Sequence, residues 1–234
     1  MFISSILTYS NAQNFALHFD GNDDEVRMNT ENSHIIGDAF TIEAWINATE
    51  WRDQYWQGTI VGKDKTGLDE GYAFRCGKNG TLSFVMSVNN IWNEVVTGPV
   101  MEESVWNHVA IVIEDGTMTL FINGEASANS SYNGSFSNSP ILGTKIGASG
   151  EFPGRIFHGA IDEVRIWNIA RTGNELFTFS TEQLEGDEAG LVAYLPLDEG
   201  TGTTTANLAN NNNPGKLANM DESAWVRCNR HPKS

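Results

Sequence analysis

The stretch "EWRDQYWQG" (residues 50–58) places Trp51, Tyr55 and Trp56 within six residues of a polar connection. Flat aromatic rings beside hydrogen-bonding side chains match the two sides of a sugar: rings cover its C–H faces and polar groups hold its hydroxyls. Trp92 in "NNIWNE" and Phe152 with Arg155 in "GEFPGRIF" repeat the combination at other strand edges, and Arg75 in "YAFRC" adds a cation. These seven residues are the candidate ligand contacts, and a glycan or glycosylated surface is the expected partner. An alternative role for Trp51 and Trp56 is to plug the end of a sandwich. Trp45, Trp106 and Trp167 stand in regular strand patterns, where packing is the expected role.

Other chemistries lack their residues. The five histidines (18, 34, 108, 158, 231) form no HExxH pair, and no GxSxG elbow is present. His108, inside "WNHVAIV", is expected to be structural. No Asp-x-Asp-x-Asp-Gly loop marks an EF-hand. Thirty acidic against 14 basic residues give a formal charge of −16, which provides no basic footprint for nucleic acid or anionic lipid. No stretch reaches the ~18 apolar residues of a membrane span, so membrane insertion is not expected. Cys76 and Cys228 lack zinc spacing, and a disulfide between them would require the C-terminal tail to cross the strand carrying Cys76. Residues 1–13 have a short apolar run followed by Ser10-x-Ala12, which reads as the remnant of a secretion signal.

The elements that must position these residues are strands. "FTIEAWINA" (40–48) puts Phe40, Ile42, Ala44 and Ile46 on one face and Thr41, Glu43, Trp45 and Asn47 on the other. Similar runs occur at 15–19, 25–28, 58–63, 72–76, 81–88, 93–97, 104–114, 117–124, 141–148, 159–168 and 191–197. Asp115-Gly116 and Asn123-Gly124 are hairpin turns, since these dipeptides tolerate the positive φ of tight two-residue loops. Thr172 with Glu175 is a capping box that predicts one short helix. Short strands with frequent turns predict an all-β sandwich. One domain is expected over 14–227, with 190–227 completing it and 228–234 forming a flexible tail.

Five segments in order, "ALHFDGNDDEVRM", "FTIEAWINA", "WNHVAIVIEDGTMTLFINGE", "LGTKIGAS" and "GAIDEVRIWNIAR", resemble the laminin G-like jelly rolls of the concanavalin A-like lectin/glucanase superfamily. The resemblance implies a two-sheet antiparallel jelly-roll sandwich with a concave face, often extracellular and often sugar-binding. It also implies Ca²⁺, with Asp20 and Asp162 as its side-chain ligands, because both lie at the edges of strands that pair in resembling domains. Glucanases of the superfamily carry Glu-x-Asp-x-x-Glu, whose alternation brings the carboxylates to one bond. Asp23/Glu25 and Glu185/Asp187 are this chain's i, i+2 acidic pairs, and neither belongs to such a triplet. Asp162 and Glu163 are adjacent, which in a regular strand turns them to opposite faces. The reading is therefore a non-catalytic carbohydrate-binding or adhesion module, secreted or at the cell surface, with neighbouring domains possible in a longer parent. The alternatives are a protein-binding or spacer module and, with less support, a glycoside hydrolase or lyase.

Overall fold

Sixteen strands and one short helix are built from these patterns in the computed structural model, which describes residues 14–29, 37–67, 69–138 and 141–230. The expected secretion-signal remnant lies outside the described residues. In chain order the strands are β1 (Phe15–Asp20), β2 (Glu25–Arg27), β3 (Phe40–Ala48), β4 (Gly58–Gly62), β5 (Tyr72–Gly77), β6 (Thr81–Val88), β7 (Ile91–Pro99), β8 (Asn107–Glu114), β9 (Thr117–Ile122) and β10 (Glu125–Ser131). Then follow β11 (Lys145–Ile146), β12 (His158–Trp167), α1 (Gly173–Phe179), β13 (Leu191–Leu195), β14 (Thr204–Thr205), β15 (Gly215–Ala218) and β16 (Trp225–Arg227).

Two antiparallel sheets pack face to face. The first runs β10-β9-β8-β3-β12-β1-β16, with β13 paired to the far half of β12. The second runs β14-β15-β2-β11-β4-β5-β6-β7. The expected jelly-roll sandwich is thus present. The inward residues of β3 meet those of β5 and β6, with Phe40 6.3 Å from Tyr72 and 6.2 Å from Phe84 between ring centroids. All three rings are fully buried, and each contributes roughly 1.5–3 kcal/mol through apolar burial.

Both hairpin turns adopt left-handed backbone at their two central residues, Asp115 and Gly116 (φ 48 and 72) and Asn123 and Gly124 (φ 52 and 82). That twist joins β8 to β9 in register and starts β10 against β9, whose pairing shifts between Ala126 and Ala128. The capping box also forms: Thr172 Oγ1 accepts from Glu175 N, and Glu175 Oε2 accepts from Thr172 N at 2.8 Å. The long strand expected at 141–148 is reduced to Lys145–Ile146, because Gly143 and Gly147 bracket it and Gly147 takes φ 80. Residues 228–230, expected to be a flexible tail, are held in place. Cys228 N donates to Asn14 O at 2.9 Å and Arg230 pairs with Asp162 at 2.7 Å.

Candidate functional site

Alternation on β5, β6 and β7 builds one outward face on the second sheet. Phe74, Leu82 and Phe84 point into the core, so Ala73 and Arg75, Ser83, Val85 and Ser87, and Trp92, Glu94 and Val96 point out. The middle of this face carries small side chains, and the larger groups rise around it. Arg75 is buried and forms an ion pair with Glu94, which also accepts from Tyr55 Oη at 3.0 Å. Burial, then the hydrogen bond to Glu94, raises the Tyr55 phenol's pKa and keeps it a donor. At one end of the face Trp92 Nε1 donates to Asp69 Oδ1 at 2.8 Å.

At the other end the loop after β11 folds back over β4. Asp64, 1% exposed, accepts from Ser149 Oγ at 2.8 Å and from Gly150 N at 2.6 Å, which pins the loop's first turn. Arg155, 3.8 Å from Asp64, then lies between two rings: its guanidinium carbon is 4.0 Å from the Phe152 centroid and 4.8 Å from that of Trp56. Such stacking orients the aromatic edges and leaves guanidinium hydrogens available to oxygen acceptors.

Tyr55, Trp56, Arg75, Trp92, Phe152 and Arg155 therefore border one face of one sheet. A row across β4, β5 and β6 on this face holds Thr59 Oγ1, Arg75 Nε and Ser83 Oγ, buried polar atoms without hydrogen-bond partners. Such atoms cost about 1–3 kcal/mol each unless a partner reaches them. No single-residue signal predicted Thr59 or Ser83. The place of Thr59 follows from a register shift between Thr59 and Val61 that only strand pairing reveals, and Ser83 pairs with Arg75.

Two expected site residues fall elsewhere. Trp51 is half-buried and packs against the main hydrophobic cluster, the contact expected of the alternative role as a plug. Asp162 does not meet Asp20. Asp20 lies opposite His158, and Asp162 is four positions further along β12, about 13 Å at the rise of a strand. Asp162 is fully buried under Arg230. Its neighbour also departs from the expectation of opposite faces. Three steps from Asp162 to Arg165 match two steps on β3, and Glu163 takes φ 54, so a bulge brings both carboxylates to Arg230, at 2.7 and 3.7 Å. The pair is committed to arginines, with Arg165 2.6 Å from Glu163. Cys76 and Cys228 are buried free thiols in different clusters.

Asp20 instead meets Asp23 and Asp24, and one oxygen from each lies within 4.8 Å of the others. Hydrogen bonds from Asn22 outweigh desolvation and hold Asp20 below the ordinary carboxylate pKa, whereas burial raises Asp24. Three hard oxygen donors on one turn fit the chemistry of a divalent cation such as Ca²⁺. Beside them a groove of about 360 Å³ runs past Asp23, Glu25 and Lys145 to Phe152.

The two antiparallel sheets, with an aromatic and arginine face on one of them, define a jelly-roll β-sandwich. A family model of the concanavalin A-like lectin/glucanases superfamily matches residues 20–177, and the chain belongs to that superfamily, in its laminin G-like branch. No curated protein sequence matches the chain. Among solved structures it is similar to a candidate carbohydrate binding protein from Bacteroides ovatus ATCC 8483, at 22% identity and a TM-score of 0.72. That match covers 94% of this chain and 61% of the other, so the chain spans about three fifths of that relative's length. It is also similar to domain 4 of AbnA, a GH43 extracellular arabinanase from Geobacillus stearothermophilus, in complex with arabinotriose. Identity there is 18% and the TM-score 0.56, covering 70% of this chain and 75% of that one. The CBM40 of the Ruminococcus gnavus IT-sialidase, bound to α2,3 sialyllactose, matches at 13% identity and a TM-score of 0.56, covering 70% and 95%. At these identities the likeness is one of fold. Among the described residues no helix is long and apolar enough to cross a membrane.

Proposed function

We propose that this chain is a non-catalytic carbohydrate-binding module that holds a glycan on the outward face of β5, β6 and β7. One observation carries the reading: the candidate aromatics and arginines surround a row of unpartnered polar atoms, Thr59 Oγ1, Arg75 Nε and Ser83 Oγ. Trp56 and Phe152, ordered by Arg155, cover sugar C–H faces, and Trp92 bounds the far end. Tyr55, Arg75 and Glu94 supply the hydroxyl partners. A divalent cation, Ca²⁺ by its oxygen donor set, belongs on Asp20, Asp23 and Asp24. Export to the cell exterior suits both the N-terminal pattern and a surface-directed glycan binder. Binding-module neighbours support a role without chemistry, and the buried, arginine-bound Asp162 and Glu163 supply no acid and nucleophile pair for a glycosidic bond.

A glycan array followed by calorimetry on the best hit tests the reading. Trp56→Ala and Trp92→Ala are each expected to weaken binding about tenfold or more, with circular dichroism unchanged. Unaltered affinity in both variants overturns the site.

A further inference from the structure

The first sheet carries a second recess on its own outward face, on the far side of the core. Trp45 on β3 and His108 on β8 are direct cross-strand neighbours, with ring centroids 5.5 Å apart. Around them the residues after α1, the approach to β8 and Asn229 with Arg230 enclose a cleft of about 520 Å³, a size typical of small-molecule sites. Its walls are apolar: half-buried Trp45 and Trp106, Val105 at 45% exposure and Phe177 at 64%. Phe177 is held there because α1 packs on the β9–β10 turn, where a Cβ at Gly124 would stand 2.7 Å from Phe177 Cβ.

The floor is polar and incompletely paired. His108, 2% exposed, turns Nε2 to Glu43 Oε2 at 2.8 Å, while Glu43 Oε1 accepts from Trp167 Nε1 at 2.8 Å. Nε2 thus lies against a buried carboxylate, and the other ring nitrogen, Nδ1, is buried without a partner. Arg230 crosses Trp45 at 5.3 Å and binds Asp162, but its Nε–H is also buried without a partner.

These two atoms set the ligand's chemistry. An imidazole nitrogen either donates or accepts, and a hydroxyl serves as partner in both cases. Arg230 Nε needs an acceptor oxygen close by. The charged groups beneath the cleft are paired with one another, Arg230 with Asp162 and Glu163 and Arg165 with Glu163 and Glu43, so an uncharged ligand suits the floor. An uncharged ring with hydroxyls and apolar C–H faces meets all of these conditions.

We propose that this cleft is a second binding site, for a neutral sugar residue seated between Trp106 and Phe177 with its hydroxyls turned to the His108 and Arg230 floor. It stands independently of the face on the second sheet.

The test is a titration of ¹⁵N-labelled protein with the methyl glycosides of glucose, galactose, mannose, xylose and arabinose. Concentrations reach about 50 mM, enough to expose millimolar affinity. At least one sugar is expected to move the Trp45 and Trp106 indole N–H signals saturably. Phe177→Ala, which removes an exposed ring, weakens that binding about tenfold or abolishes it, and His108→Gln does the same. Trp56→Ala on the other face leaves it unchanged. The proposal is overturned if no sugar gives a saturable shift, if Phe177→Ala binds as the wild type does, or if Trp56→Ala removes the same shifts.

Discussion

Replacing Lys63 with methionine removes an ammonium group from one of the most expensive places in the molecule. Lys63 follows β4, its backbone N–H donates to Tyr72 O at 2.9 Å, and it shares the core side of the second sheet with Tyr72. The residue is 0% exposed, and Nζ has no hydrogen-bond partner. Burial alone lowers its pKa from 10.5 to about 8. Each unit is worth 1.36 kcal/mol, so charging Lys63 costs the folded state about 3 kcal/mol at neutral pH. Methionine keeps most of the length and none of the charge. Lys63→Met is expected to be about 2–3 kcal/mol more stable at pH 7, which raises Tm by roughly 4–12 °C for a chain of this size. The pH dependence identifies the cause. Between pH 8 and 10.5 the unfolded amine binds its proton and the folded one does not, so this residue's penalty falls as pH rises through that window. Below pH 8 both states are protonated and the penalty is full. The variant's advantage is therefore flat up to about pH 8 and shrinks towards pH 10. Urea melts of both proteins at pH 7 and pH 9.5 measure it. A variant less stable than wild type at pH 7, or an advantage equal at both pH values, refutes the reasoning.

Calcium at about 100 times its dissociation constant should add about 2.7 kcal/mol, and a chelator should then lower the melting midpoint by roughly 5–10 °C. Asp23→Asn should remove most of that shift in calorimetry, and a midpoint indifferent to chelator counts against the Asp20–Asp23–Asp24 cation. Burial raises the Cys76 thiol's pKa far above its usual range and that of Cys228 to about 11. Neither should react with a thiol reagent at pH 8 until the chain unfolds, and rapid native labelling would contradict this burial. Thr172→Ala removes the helix cap and should cost about 1 kcal/mol by denaturant melt. An unchanged midpoint would show that tertiary contacts alone hold α1.

Period-two alternation, the Asp115-Gly116 and Asn123-Gly124 turns and the Thr172 cap made the sheets and helix readable, because each is local chemistry with a single structural solution. Arg75 was readable on the same basis, since β5 alternates cleanly and Phe74 must point inward. Trp51 was not, because a connection has no period to say which of three aromatics turns to the core. Asp162 was misplaced by an extra residue in β12, an insertion visible only against the register of β3. The cleft beneath Trp45 and Trp106 depends on where α1 and residues 229–230 come to rest. Strand alternation showed which face Trp45 takes, but not what encloses it.

The two N-terminal strands have partners only late in the chain. β1 pairs with β12 and β16, and β2 pairs with β11 and β15, the first of which begins at Lys145. During synthesis at about 5–20 residues per second, β2 must wait for more than a hundred residues, or about 6–25 s, before its nearest partner emerges. Over that interval β1 and β2, which carry the finally buried Ala16, Leu17, Phe19 and Val26, have no strand partner. Neither sheet therefore completes before β15 and β16 are made. Stalled or nicked chains ending before β11 would display β1 and β2 as unpaired apolar strands, which makes them natural targets for chaperones and for aggregation.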